Sequence, residues 1–187
     1  NKVLIPSLQA SELTENISQM LKKDVQNTYK PSKARIIQCE NKQQQKALKA
    51  LKDGTGPEEV ASQYMVDSAT YSGKETLITT KKTDISTRMI NKLYKAKKSG
   101  VIDEIFTNES SGTTYAYVAV LVTNTYKDIK DEVYTTLSSD DDVTKACLVY
   151  YLKKYNFEVH DQDVFDNLKA NNPEYLVSRP DLAKSKD

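Results

Sequence analysis

Tyr115-Ala116-Tyr117-Val118-Ala119-Val120-Leu121-Val122-Thr123 is the strongest strand signal in the chain, because aromatic and β-branched residues dominate it and no Gly or Pro interrupts it. Toward the N-terminus, Asn108 to Gly112 is turn-rich and reads as a loop, and Val101 to Phe106 reads as a second extended segment. Before that, Ile85, Met89, Leu93 and Ala96 carry helical spacing, with Thr83 or Asp84 as the N-cap and Lys97, Lys98 and Gly100 as the close. Residues 68–76 are polar around Gly73 and read as a loop, leaving Leu77 to Thr80 as a short strand.

Further back, Pro57 suits the first turn of a helix with Glu58 and Glu59 at its positive end and Val60, Ala61 and Tyr64 for the core. That helix should stop near Asp67. Asp53-Gly54-Thr55-Gly56 separates it from a helix over Gln43 to Lys52, and Ala34 to Cys39 reads as a strand. Residues 8–29 show amphipathic spacing that ends before Pro31. The order is β-α-α-β-α-β-β, which predicts an α+β fold with a small antiparallel sheet and helices packed on it.

Beyond Thr125 the pattern turns helical. A polar helix carries Ile129, Val133 and Leu137, and an Asp140-Asp141-Asp142 break precedes a richer one through Val143, Cys147, Tyr150, Tyr151 and Tyr155. Phe157 to Val159 reads as extended, Gln162 to Ala170 as a last helix, and the stretch from Asn171 onward, with Pro173 and Pro180, as a mobile tail.

Composition removes several function classes. Lys and Arg number 27 against 26 Asp and Glu, so no net field draws the chain to nucleic acid or to an anionic membrane. The paired lysines mostly close helices, and no nucleic-acid face is expected. The apolar run from Tyr115 to Val122 falls far short of the roughly 20 residues a membrane-spanning helix needs. The chain begins at Asn1 without a signal-like segment, so a targeting segment is expected to have been removed. One histidine, His160, excludes a zinc site needing two imidazoles and offers no hydrolase triad. Phosphate-loop glycine motifs are absent, and Asp140 to Asp142 lack calcium-loop spacing, so no metal or cofactor is expected. Cys39 and Cys147 sit in apolar segments and read as buried thiols.

The element order, with Tyr29-Lys30-Pro31 and Lys33-Ala34-Arg35-Ile36-Ile37, Tyr64-Met65-Val66-Asp67, Ser72-Gly73-Lys74-Glu75, Gly100-Val101-Ile102-Asp103 and Tyr117-Val118-Ala119-Val120, resembles the parvulin domain of PrsA-type foldases, extracytoplasmic lipoproteins of Gram-positive bacteria. It is also similar to the histidine-lacking proteinase-maturation members of streptococci and lactobacilli. The resemblance covers roughly residues 29–126. It implies a helical segment at 1–30 left from an N-terminal chaperone domain, a parvulin-like domain at 31–126, returning chaperone helices at 127–172 and a tail at 173–187. The early chaperone part is normally longer, so the resemblance implies a truncated or shortened chain. Apolar faces on 8–25 and 143–155 would then pair with each other or support a homodimer.

Parvulins of this family rotate the Xaa-Pro bond beside two histidines, one in the first strand and one in the last. The resemblance places these positions at Ile36 and Val118. It leaves Asp67 and Thr113 as polar remnants, and an apolar groove formed by Ile36, Ile85, Met89, Tyr94, Tyr117 and Val118. Aliphatic side chains neither donate nor accept hydrogen bonds, so isomerisation should be weak or absent. Each assignment has a plainer alternative: Ile36 and Val118 as strand core, Ile85 and Met89 as ordinary helix packing, Asp67 as a helix-ending turn residue, and Tyr115 with Tyr117 as one face of a half-buried strand. The resemblance implies an extracytoplasmic foldase or chaperone for unfolded or partly folded secreted polypeptides, anchored by a lipid in the full-length protein. An active prolyl isomerase and a structural or adhesion domain are the alternatives.

Overall fold

In a computed structural model of the chain, residues 24–179, apart from 41 and 111, are described here. The expected helix over 8–29 is therefore seen only in its last part, α1 (Asp24–Tyr29), the remainder lying outside the described residues. One compact unit runs to Val133 and a second begins at Tyr134.

The first unit is built on a sheet in which β1 (Ser32–Cys39) and β5 (Thr113–Thr123) are central. β2 (Ser72–Ile78) lies at one edge of β1, while β3 (Gly100–Val101) and β4 (Phe106–Ser110) both pair with β5, and every pairing is antiparallel. α2 (Gln44–Lys52) and α3 (Pro57–Tyr64) follow β1, and α4 (Thr87–Lys95) follows β2. The fold is α+β, as the sequence predicts.

Successive side chains on a strand point to opposite faces, and this divides the core in two. Ala34 and Ile36 of β1, with Tyr117, Ala119 and Leu121 of β5, join Met89, Ile90 and Leu93 of α4. Ile37, Cys39 and Val118 join Ala47, Leu48 and Leu51 of α2 and Val60 and Ala61 of α3. Each fully buried aliphatic side chain contributes about 1.5–3 kcal/mol. Two helical layers are thus held on two faces of one β1–β5 pair.

Several boundaries differ from the sequence expectations. Residues 72–78 form an edge strand where a loop was expected through 76. Lys74 and Glu75 are exposed there, and Arg35 ties the strand to β1 through Glu75 at 2.8 Å. A polar sequence is compatible with an edge strand because only one side must be covered. Asn108 to Ser110 likewise extend as β4 in a hairpin with β5 rather than looping. α4 starts at Thr87 with Ser86 as its cap, accepting from the Met89 amide at 3.4 Å, so Ile85 precedes the helix. The helix ends at Lys95, and Gly100 belongs to β3.

In the second unit, which takes up the last turns of α5 (Tyr126–Ser138), α6 (Asp141–Lys154) is capped by the Asp140 carboxylate, which accepts from the Asp142 and Val143 amides at 3.1 Å each. α7 (Gln162–Asn171) and a short 3₁₀ turn (Pro173–Tyr175) follow, and Pro173 and Leu176 are buried. Phe157 to Val159 take no strand pairing. Cys39 and Cys147 are both buried free thiols.

Gly73 sits at an irregularity of the β1–β2 pairing. Arg35 pairs with Glu75 and Ile37 with Ser72, so Ile36 alone faces the two residues Gly73 and Lys74, which is a bulge. Gly73 has φ +79°, and a Cβ there would lie 2.5 Å from the Pro57 carbonyl oxygen of α3. Gly73→Ala should therefore cost about 2 kcal/mol or more in urea unfolding, from left-handed strain plus the backbone clash; a near-neutral variant would contradict this packing of β2 against α3.

Candidate functional site

Ile36, Ile85, Met89 and Tyr117 converge on one sheet face, each from a different element. Ile36 comes from the middle of β1, Tyr117 from β5, Met89 from the first turn of α4, and Ile85 from the segment that leads into α4. Their exposures are 0, 3, 0 and 3% in the order Ile36, Ile85, Met89, Tyr117. Four side chains so enclosed form an interior and not an open groove.

Val118 does not belong with them. In the ladder Ile36 lies opposite Ala119 and Ile37 opposite Val118, so Val118 points to the other face, among Ile37, Leu48, Leu51 and Val60. The two positions assigned to the paired histidines, Ile36 and Val118, are separated by the sheet. The β5 residues that share Ile36's face are Tyr117, Ala119 and Leu121. The reason is parity, since one residue of slip along a strand exchanges its faces. Tyr94 also stands apart: it is half-buried near the end of α4, where its carbonyl, with those of Leu93 and Ala96, accepts from the Asn124 side-chain amide at 2.8–3.1 Å.

The two polar remnants are not brought to this cluster either. Asp67 is exposed in the turn after α3, whose neighbour Val66 is tied to β1 by its amide donating to the Gln38 carbonyl at 3.1 Å. Thr113 is exposed at the start of β5, paired with Ser110 in the β4–β5 hairpin.

Tyr71 and Asp84 are the residues that the sequence did not single out for the site. The Tyr71 hydroxyl donates to the Asp84 carboxylate at 2.8 Å, and the Tyr117 hydroxyl donates to the Asp84 backbone carbonyl at 3.1 Å. The two rings meet edge to face, with centroids 6.2 Å apart, an arrangement aromatic pairs favour. Tyr71 is placed by β1, since its carbonyl accepts from the Gln38 amide at 3.1 Å. A lone aromatic inside the polar stretch 68–76 is the one sequence signal for Tyr71, and Asp84 carries only the signal of a helix cap, shared with Thr83.

Burial pushes the Tyr71 phenol well up, and the hydrogen bond to Asp84 adds to the rise. Tyr117 is raised chiefly by burial, then by the charge of Asp84. A phenol whose folded pKa lies above its unfolded value near 10 contributes stability that is fully present below the unfolded value and is lost as pH rises through the folded one. Ultraviolet titration should show Tyr71 and Tyr117 as a fraction that resists ionisation until the fold opens. Tyr71→Phe with Tyr117→Phe should remove this delayed fraction, and its persistence would contradict the burial described.

Searches against protein-family models and against curated proteins give no match for this chain. Among solved structures it is similar to the foldase PrsA from Streptococcus pneumoniae, at 16% identity and a TM-score of 0.43 over 85% of this chain and 66% of that one. It is similar to PrsA from Bacillus subtilis at 20% identity and 0.40, over 84% and 64%, and to the peptidylprolyl isomerase PrsA from Bacillus anthracis at 22% and 0.34, over 81% and 73%. The chain spans about two thirds of the length of the first and second of these structures.

Proposed function

We propose that this chain is an extracytoplasmic folding factor that holds unfolded or partly folded secreted polypeptides and does not turn Xaa-Pro bonds. On this reading the full-length protein is tethered by a lipid to the outer face of a Gram-positive cell membrane. The observation that carries the non-catalytic half is the complete enclosure of Ile36 beneath Ile85, Met89 and Tyr117. The Xaa-Pro barrier is about 18–20 kcal/mol, and lowering it requires both access for the prolyl ring and polar groups near the amide. Access is closed, and an aliphatic group occupies the position that the resemblance gives to the first histidine. The sole histidine, His160, is exposed in the second unit beside Glu158.

Support for the holding half comes from the second unit. Tyr150 and Tyr155 are 44 and 71% exposed, and Leu148, Phe157 and Val164 are exposed with them. Tyr151 stacks on Tyr155 with centroids 6.2 Å apart, and Lys154 lies 5.7 Å from both rings. Exposed aromatic and aliphatic side chains beside lysines suit transient contact with apolar segments of a non-native chain.

Exchange NMR on short Xaa-Pro peptides should show no acceleration at catalytic amounts of protein, while aggregation of a reduced, unfolding client should be suppressed at near-stoichiometric amounts. Tyr150→Ser with Tyr155→Ser should weaken that suppression several-fold and leave the sheet unit folded. Rapid isomerisation that Asp67→Ala abolishes would establish the isomerase instead, and failure of both assays would favour a structural domain.

A further inference from the structure

The segment Thr79–Ser86 joins β2 to α4 and crosses the apolar cluster as a strap. It is fixed at its first end by Thr80, whose amide and hydroxyl donate to the carbonyls of Tyr29 and Thr28 at 2.9 and 3.0 Å. At its other end Ser86 caps α4. Between these points Lys81 and Thr83 are exposed, and only Ile85 enters the core. Asp84, adjacent to Ile85, receives both tyrosine hydroxyls, one on its carboxylate and one on its carbonyl. Asp84 is itself exposed while Tyr71 and Tyr117 are buried at 4 and 3% exposure. A solvent-facing strap is therefore fastened from beneath by two interior hydroxyls.

We infer that Tyr71, Tyr117 and Asp84 form a latch that keeps Ile85 seated as an intramolecular plug over Ile36 and Met89. The apolar pocket of the sheet unit is closed by the chain's own strap and is not missing. Release of the plug breaks the two tyrosine hydrogen bonds and withdraws the Ile85 side chain, and the strap makes no sheet pairing of its own. The Tyr71 bond goes to a carboxylate, and hydrogen bonds to a charged acceptor are among the stronger ones in a folded protein, so the latch sets how rarely the plug lifts. Such local openings proceed without unfolding the elements around them. The inference concerns the sheet unit alone and is independent of the holding surface proposed for the second unit.

Hydrogen exchange and an environment-sensitive apolar dye, measured on the whole chain, test the latch. Tyr71→Phe with Tyr117→Phe should accelerate exchange across the strap about tenfold or more and raise dye fluorescence several-fold, with the β1–β5 amides unchanged. Asp84→Ala, a change at an exposed residue, removes the Tyr71 bond and keeps the Tyr117 bond to the backbone carbonyl, so it should show both effects at a smaller size and serves if the double variant does not fold. Ile85→Ala should raise dye binding without altering the tyrosine pair. Unchanged strap exchange in Asp84→Ala would overturn the latch, as would acceleration spread equally through β1 and β5, which would make the tyrosines ordinary contributors to global stability.

Discussion

The pairing of β1 with β5, in the register that sets Ile36 opposite Ala119, is the constraint on which the first unit rests. The middle of each strand is covered on both faces, so its buried apolar residues are committed to one helical layer or the other. A single residue of slip would move Ile36 to the α2–α3 layer and Ile37 to the α4 layer. The Gly73 bulge, the Arg35 contacts to Glu58 and Glu75, and the Asn124 cap on the end of α4 all locate their elements relative to this ladder. The candidate site is a consequence of the same register.

Much of this was legible in the residues. β5 announced itself through its aromatic and β-branched run, α2 and α3 through apolar spacing and the Gly54 and Gly56 break, and α6 through the Asp140-Asp141-Asp142 break before it. Edge strands were harder. β2 and β4 carry Lys74, Glu75, Asn108 and Glu109 because one side of each needs no cover, so local polarity resembled a loop. The sequence offers Thr83 or Asp84 as the cap of α4, and tertiary contact decides against Asp84: it is engaged by the two tyrosines, and Ser86, outside that choice, caps the helix.

The site was legible in part. Ile36, Ile85, Met89 and Tyr117 share a cluster, although Ile85 does so from the strap and not from the helix. Val118 could not be placed from sequence, because a doubly buried strand lacks the apolar and polar alternation that reveals which face is which. Tyr71 was out of reach for a different reason, since its partner Asp84 lies beyond an intervening strand and the contact exists only once β2 has folded back on β1. At the position that the resemblance gives to the first histidine, Ile36 lies in an apolar interior with Ile85, Met89 and Tyr117.

Methyl-to-methyl nuclear Overhauser contacts in the folded chain test the register most directly. Ile36 and Val118 are the reporters, because the account sends them to opposite layers. Ile36 should show contacts within the layer that holds Ile85, Met89 and Ala119, and Val118 within the layer that holds Ile37, Leu48, Leu51 and Val60. Contacts from Val118 to Met89 would place both residues on one face and contradict the account.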